Sequence, residues 1–175
     1  RFVIDRGLTD QQEITMQTTT SRMHARMTDD GLVSVDMGEP AFEPSKVPFS
    51  ADEMSLEYPL EIESGTVRVG AVSVGNPHAV QIVETLSDET NAGFMQIVSA
   101  DHVLLRVYER GVGETQACGS GACGAMAVGR HQGLLGEHVN VELPGGTLRI
   151  SWAGPGESLI MTGPAQTVFQ GRIDV

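Results

Sequence analysis

The stretch 108–129, "YERGVGETQACGSGACGAMAVG", sets Gly113, Gly119 and Gly121 around one cysteine, Cys118, and then runs into small apolar residues. Glycine lets the backbone turn sharply and bare its N–H groups, and the Ala/Met/Val run reads as a helix starting near Gly119 or Ser120. Cys118 then stands at a helix N-terminus. Unpaired N–H groups and the helix dipole favour negative charge there, and thiol pKa values fall from about 8.5 to between about 3.5 and 7.5. The stretch reads as a reactive thiolate beside an anion cradle. Spacing alone leaves a second reading open, a buried structural cysteine, because free Cys is among the most buried residue types. Cys123 lies five residues on, about 500° round a helix, so it points about 140° away from Cys118 and is expected in the core.

The run "GSGACGAMAVGRHQGLL" carries Ala122, Cys123, Ala125, Met126, Ala127 and Val128 on almost every side, so the helix should be buried on most of its faces. Around it the sequence is strand-like. "GTVRVGAVSVGNPHAVQIV", "AGFMQIV", "HVLLRVYERG", "HVNVELPGGTLRISWAG" and "ESLIMTGPAQTVFQGRIDV" are rich in β-branched residues, with a hairpin turn at Pro144, Gly145 and Gly146. Upstream, "EITMQTTTSRMHARMTDDGLVSVDMG" reads as two or three strands turning at Asp29, Asp30 and Gly31, and "RFVIDRGLTD" as the last turns of a helix capped by Gly7. The fold class is α+β: a curved, mainly antiparallel sheet wrapped around one central helix whose N-terminus opens toward a pocket. "EPAFEPSKVP" holds three of the eight prolines and reads as the crossing between two halves, with a boundary near Met37 or Gly38.

Eleven basic against 23 acidic residues give a net charge of −12, and no basic run could follow a phosphate backbone, so nucleic acid is not expected as a partner. No apolar run has the length of a membrane span and no leader pattern is visible, which makes a cytoplasmic protein the expectation. Two cysteines do not make a disulfide framework.

Two further groupings could carry chemistry. In "GNPHAV", residues 75–80, Asn76 shapes a turn and His78 stands between two strand-like runs, where an imidazole is either hydrogen-bonded or functional. In "YERG", residues 108–111, Glu109 and Arg110 end an apolar strand; they form either a solvated charge pair or the rim of a pocket. On a rim, Glu109 could take the thiol proton and Arg110 could hold a carboxylate bidentately. His24, His102, His131 and His138 sit in polar settings without metal-ligand spacing. No Lys-Ser or Lys-Thr pair follows the glycines as a P-loop needs, and a dinucleotide-binding glycine spacing is also missing.

Taken in order, "MGEP", "GNPH", "AGFMQ", "YERGVGETQACGSGACGA", "VELPGG" and "MTGPA" closely resemble diaminopimelate epimerase, from Arg1 to Val175. The resemblance implies two domains of like topology, each a strand barrel around a central helix, with the second near complete here and the first truncated. Residues 1–37 would be the remnant of the first domain, 38–164 the second domain, and 165–175 a last strand returning to the first. It also implies an isomerase that interconverts LL- and meso-diaminopimelate in lysine biosynthesis, with no pyridoxal phosphate, metal or other cofactor. One thiolate removes the α-proton from one face and a second thiol delivers a proton to the other. By resemblance, Cys118 is one of the two catalytic cysteines, Glu109 the group paired with it, and His78 the histidine assisting the other cysteine. Gly119 and Ser120 hold the α-carboxylate through their N–H groups, and Asn76, Asn91 and Arg110 bind the distal amino and carboxylate groups. The partner implied is the small-molecule substrate, and a homodimer is left open.

The sequence departs from the family pattern twice. The other cysteine belongs to a "CGNGxR"-like motif that would lie just ahead of Arg1, and nothing here matches it. The connection "QIVETLSDETNAGF" is also shorter than usual and lacks a histidine and a Phe-Pro ahead of Asn91. A chain with one of two bases is expected to epimerise little or not at all. The alternatives are a proline or hydroxyproline racemase relative, and a non-catalytic fragment that binds an amino acid or a partner.

Overall fold

A computed structural model describes residues 1–17, 22–47, 50–86, 93–109 and 111–173. In chain order the elements are α1 (Phe2–Asp5), β1 (Glu13–Gln17), β2 (Arg22–Met27), β3 (Val33–Asp36), β4 (Tyr58–Ile62), β5 (Gly65–Ser73), β6 (Pro77–Val83), β7 (Gly93–Ser99), β8 (His102–Glu109), β9 (Gly113–Thr115), α2 (Gly119–His131), β10 (His138–Leu143), β11 (Gly146–Ser151) and β12 (Ile160–Gly163). The strands form one sheet in the order β1-β2-β3-β12-β11-β10-β8-β7-β6-β5-β4, with β9 paired to β8 off this path. Neighbours run antiparallel except β6 with β7 and β10 with β8.

Strands β5, β6, β7, β8, β10 and β11 all pack on α2, so the sheet curls around the helix as its composition requires. Every residue from Gly121 to Val128 is buried, and among them Ala122, Cys123, Ala125, Met126 and Ala127 are fully inaccessible. Small side chains bring the strands close, and the larger core residues Met95, Leu105, Ile150, Trp152 and Leu159 fill the space between. The strands alternate accordingly. On β8, Val103, Leu105 and Val107 face the core while His102, Leu104, Arg106 and Tyr108 face outward.

The helical end capped at Gly7, with φ +62°, the turn at Gly31 and the Leu143–Gly146 hairpin all stand where expected. Three features differ. The strand β4 was not foreseen, because "YPLEI" buries only Tyr58 and carries Pro59 and Glu61; it pairs with β5 alone, and an edge is where a sheet tolerates proline. Likewise β9 is hidden among glycines and shows only by its pairing with β8. The expected strand over 165–175 is a correction: residues 164–173 form no strand, and Val168 and Phe169 are 90% and 83% exposed. Both sides of β12 are already taken by β3 and β11, so the chain leaves the sheet after Gly163 with no open edge beside it. No helix among the described residues is long and apolar enough to cross a membrane.

Candidate active site

The site is built where core-facing rows of the sheet run past the core toward the first turn of α2. On β8 the row Val103, Leu105, Val107 continues to Glu109, which is exposed. On β6 the row of Val80 and Ile82 continues back to His78, which is half-buried. A strand's side chains repeat every second residue, so the two polar residues inherit the direction of the apolar ones behind them.

Cys118 is the N-cap residue of α2, with extended backbone (φ −138°, ψ 107°), and its Sγ accepts the Gly121 N–H at 3.3 Å. A thiol here takes the place that Ser, Thr, Asp or Asn usually fills at a helix start. The Ser120 hydroxyl lies 3.7 Å from the same sulfur. The helix makes no use of the N–H groups of Gly119 and Ser120, which belong to the orphan donors of a first turn. Ahead of the cap the backbone is pinned: the Gly145 N–H donates to the Gln116 carbonyl at 2.7 Å. A Cβ on Gly145 would fall 2.8 Å from that oxygen, so the hairpin tip can lie against the thiol loop only as glycine.

His78 rests on α2 at Gly124. A Cβ at that glycine would stand 3.2 Å from His78 Cβ and 3.3 Å from Cδ2. Asn76 Oδ1 accepts from His78 Nε2 at 3.3 Å, which leaves Nδ1 of the neutral ring as an acceptor. Burial pushes the His78 pKa down, and the Glu109 carboxylate partly offsets this. A cleft of about 200 Å³ opens beside His78, lined also by Val80, Leu105, Val107 and Gly121 among others. A wider cleft of about 650 Å³ lies elsewhere, on the outer face by Asn140 and Arg149, and holds none of the candidate residues.

Cys123 is buried in the core of α2, and desolvation, with a smaller effect from Cys118, pushes its thiol far up. It cannot serve as a second surface base. The structure brings Cys118, Gly119 and Ser120 together at the first turn of α2 and seats His78, bonded to Asn76, against the same helix at Gly124, while Glu109 acts on His78 through its charge. Asn91 and Arg110 lie outside the described residues. Sequence reading missed Thr115, whose hydroxyl is buried without a hydrogen-bond partner. Its signal was the alternation of Glu114 and Thr115 against Tyr108 and Val107, legible only once β9 is known to pair with β8.

Residues 84–168 match the family model described as diaminopimelate epimerase. Among solved structures, a probable proline racemase from Agrobacterium radiobacter K84, with bound carbonate, is similar at a TM-score of 0.68 and 13% identity, covering 98% of this chain. A methylitaconate-delta-isomerase is similar at 0.56 and 12%, covering 93% of this chain and 68% of its own. A Bacillus anthracis phenazine biosynthesis protein of the PhzF family follows at 0.53 and 12%, covering 92% and 68%. This chain spans 65% of the length of the racemase, just under two thirds. At such identities the likeness shows a shared mixed α+β fold.

Proposed function

We propose, from the match of residues 84–168 to the family model described as diaminopimelate epimerase, that this protein belongs to that family and moves the α-proton of diaminopimelate between LL and meso forms without a cofactor, in lysine biosynthesis. The observation that carries this reading is the position of Cys118, a thiol capping a buried helix against which His78 also packs, at Gly124.

In this reading the substrate α-carboxylate docks on the N–H groups of Gly119 and Ser120. The Cys118 thiolate takes the α-proton and becomes a thiol. The electron pair left on the α-carbon spreads into the carboxylate, and the oriented N–H groups and helix dipole stabilise the negative charge that develops there. Glu109 accepts the thiol proton when the thiolate is regenerated. His78, whose pKa burial lowers and which Asn76 orients, assists the second thiol, the one that serves the opposite face. Asn76, Asn91 and Arg110 bind the distal amino and carboxylate groups, which selects a long diamino diacid.

Inversion needs a proton donor on each face of the α-carbon. These 175 residues supply one thiol for it, since Cys123 is enclosed in the core. The same reading divides the chain into residues 1–37 and 38–164, belonging to a first and a second domain, and a returning segment from 165. The chain by itself exchanges the α-hydrogen on one face and does not interconvert the isomers. Proton exchange into diaminopimelate in D2O, followed by NMR, tests this. Similarity to a probable proline racemase over 98% of this chain makes proline the competing substrate, and faster exchange of proline would replace the proposed one.

A further inference from the structure

Three residues, 116–118, join the end of β9 to the first residue of α2. Gln116 and Ala117 are exposed, so side-chain packing does not fix this connection. The helix start that follows is fixed. A Cβ on Gly121 would stand 3.2 Å from Val107 Cγ2, and one on Gly119 would stand 3.0 Å from Met161 Sδ, so strands close on the first turn from two sides. A displacement of Gln116 is therefore taken up ahead of the helix, at Ala117 and Cys118. The Gly121 N–H, which holds the sulfur at 3.3 Å, stays behind.

The tip of another hairpin holds Gln116. Among the described residues, the backbone bond that reaches the connection from elsewhere in the fold runs from the Gly145 N–H to the Gln116 carbonyl, 2.7 Å long. Pro144 and Gly145 form the loop between the paired residues Leu143 and Gly146, and Leu143 is buried, so the tip is anchored in the core. Its own turn does not demand glycine at 145. The positive φ in that turn, +138°, belongs to Gly146 and not to Gly145. A Cβ on Gly145 would instead meet Gln116, at 2.8 Å from the carbonyl oxygen and 3.2 Å from the carbonyl carbon. Backbone atoms cannot swing aside as the end of a side chain can. Gly146 serves the turn, and Gly145 serves the connection to the thiol.

We propose that Gly145 is a positioning residue for Cys118: from the β10–β11 tip it holds the connection so that the sulfur stays on the Gly121 N–H. This rests on the reading of Cys118 as a base, but its test reads the thiol alone, without substrate. A donor on a thiolate favours the charged form, so moving the sulfur off that N–H moves its ionisation to higher pH. A substitution that merely loosened the loop would change the rate of reaction at every pH and leave the midpoint of the pH profile in place.

The experiment follows iodoacetamide alkylation of Cys118 against pH, by mass spectrometry on the full chain, for wild type, Gly145→Ala and Gly146→Ala. In Gly145→Ala the midpoint is expected to move up by about one pH unit, about a tenfold loss of reactivity at neutral pH, the size of one hydrogen bond to a charged group. Gly146→Ala strains the same turn with nothing within 4 Å of the added Cβ, and is expected to melt lower with the midpoint unmoved. An unmoved midpoint in Gly145→Ala, or an equal move in Gly146→Ala, overturns the role of Gly145. Amide hydrogen exchange in the wild-type chain needs no variant. The Gly145 N–H, at an exposed tip, is expected to be protected, and exchange at the rate of an open loop removes the clamp. The base reading is tested separately, by α-hydrogen exchange, so either can fail without the other.

Discussion

The Gly121 N–H donates to the Sγ of Cys118 at 3.3 Å, so the sulfur itself closes the first turn of the buried helix α2. That bond ties the direction of the thiol to the packing of the whole sheet. It also separates the two cysteines, since Cys123 on the same helix is wholly enclosed.

Alkylation should therefore be selective. In the native chain at neutral pH, Cys118 is expected to react on the order of a hundredfold faster than Cys123, which is shielded and whose thiol is held protonated by burial. Peptide mapping after timed labelling checks this. Equal and slow labelling of both would contradict the activated-thiol reading.

Gly124→Ala should damage the site from inside the helix. The added Cβ meets His78 on one side and Val72 Cγ1, at 3.2 Å, on the other. Overpacking of this kind costs about 1–3 kcal/mol. The variant should melt at a lower temperature than wild type and show a shifted His78 ring resonance; an unchanged resonance would mean that Gly124 does not seat the imidazole.

The burial of His78 predicts a pH dependence of stability. Its folded pKa lies below the ordinary 6.5, so between the two values the unfolded chain binds the extra proton. The neutral ring's contribution is complete above about pH 6.5 and is lost as pH falls through the folded pKa. His78→Gln should flatten that part of the profile in chemical denaturation. Glu109→Gln should move the His78 midpoint further down in an NMR titration, because the carboxylate is what favours the protonated ring. An upward move would contradict the placement of Glu109.

Much of this was legible in the residues. The helix α2 announces itself through small side chains on every face, which only a helix enclosed by strands can use, and the Gly-rich approach to Cys118 placed the thiol at its start. The closure of the thiol loop was not legible: it depends on Gly145 meeting Gln116 across the β10–β11 hairpin tip. Thr115 escaped because nothing local marks β9 as a strand, and a hydroxyl's lack of a partner is a property of packing. The tail after Gly163 misled, since the β-branched residues of "QTVFQGRIDV" satisfy strand propensity, whereas a strand also needs an open edge.

The central claim is that Cys118 is a base at the α-carbon of diaminopimelate. Its most direct measurement is α-hydrogen exchange in D2O with the 175-residue chain and its Cys118→Ala variant, using diaminopimelate and proline in parallel. The account predicts deuterium entering diaminopimelate with configuration retained, little entering proline, and none above background in Cys118→Ala. Exchange that persists without Cys118, that favours proline, or that is absent from the wild-type chain would contradict it.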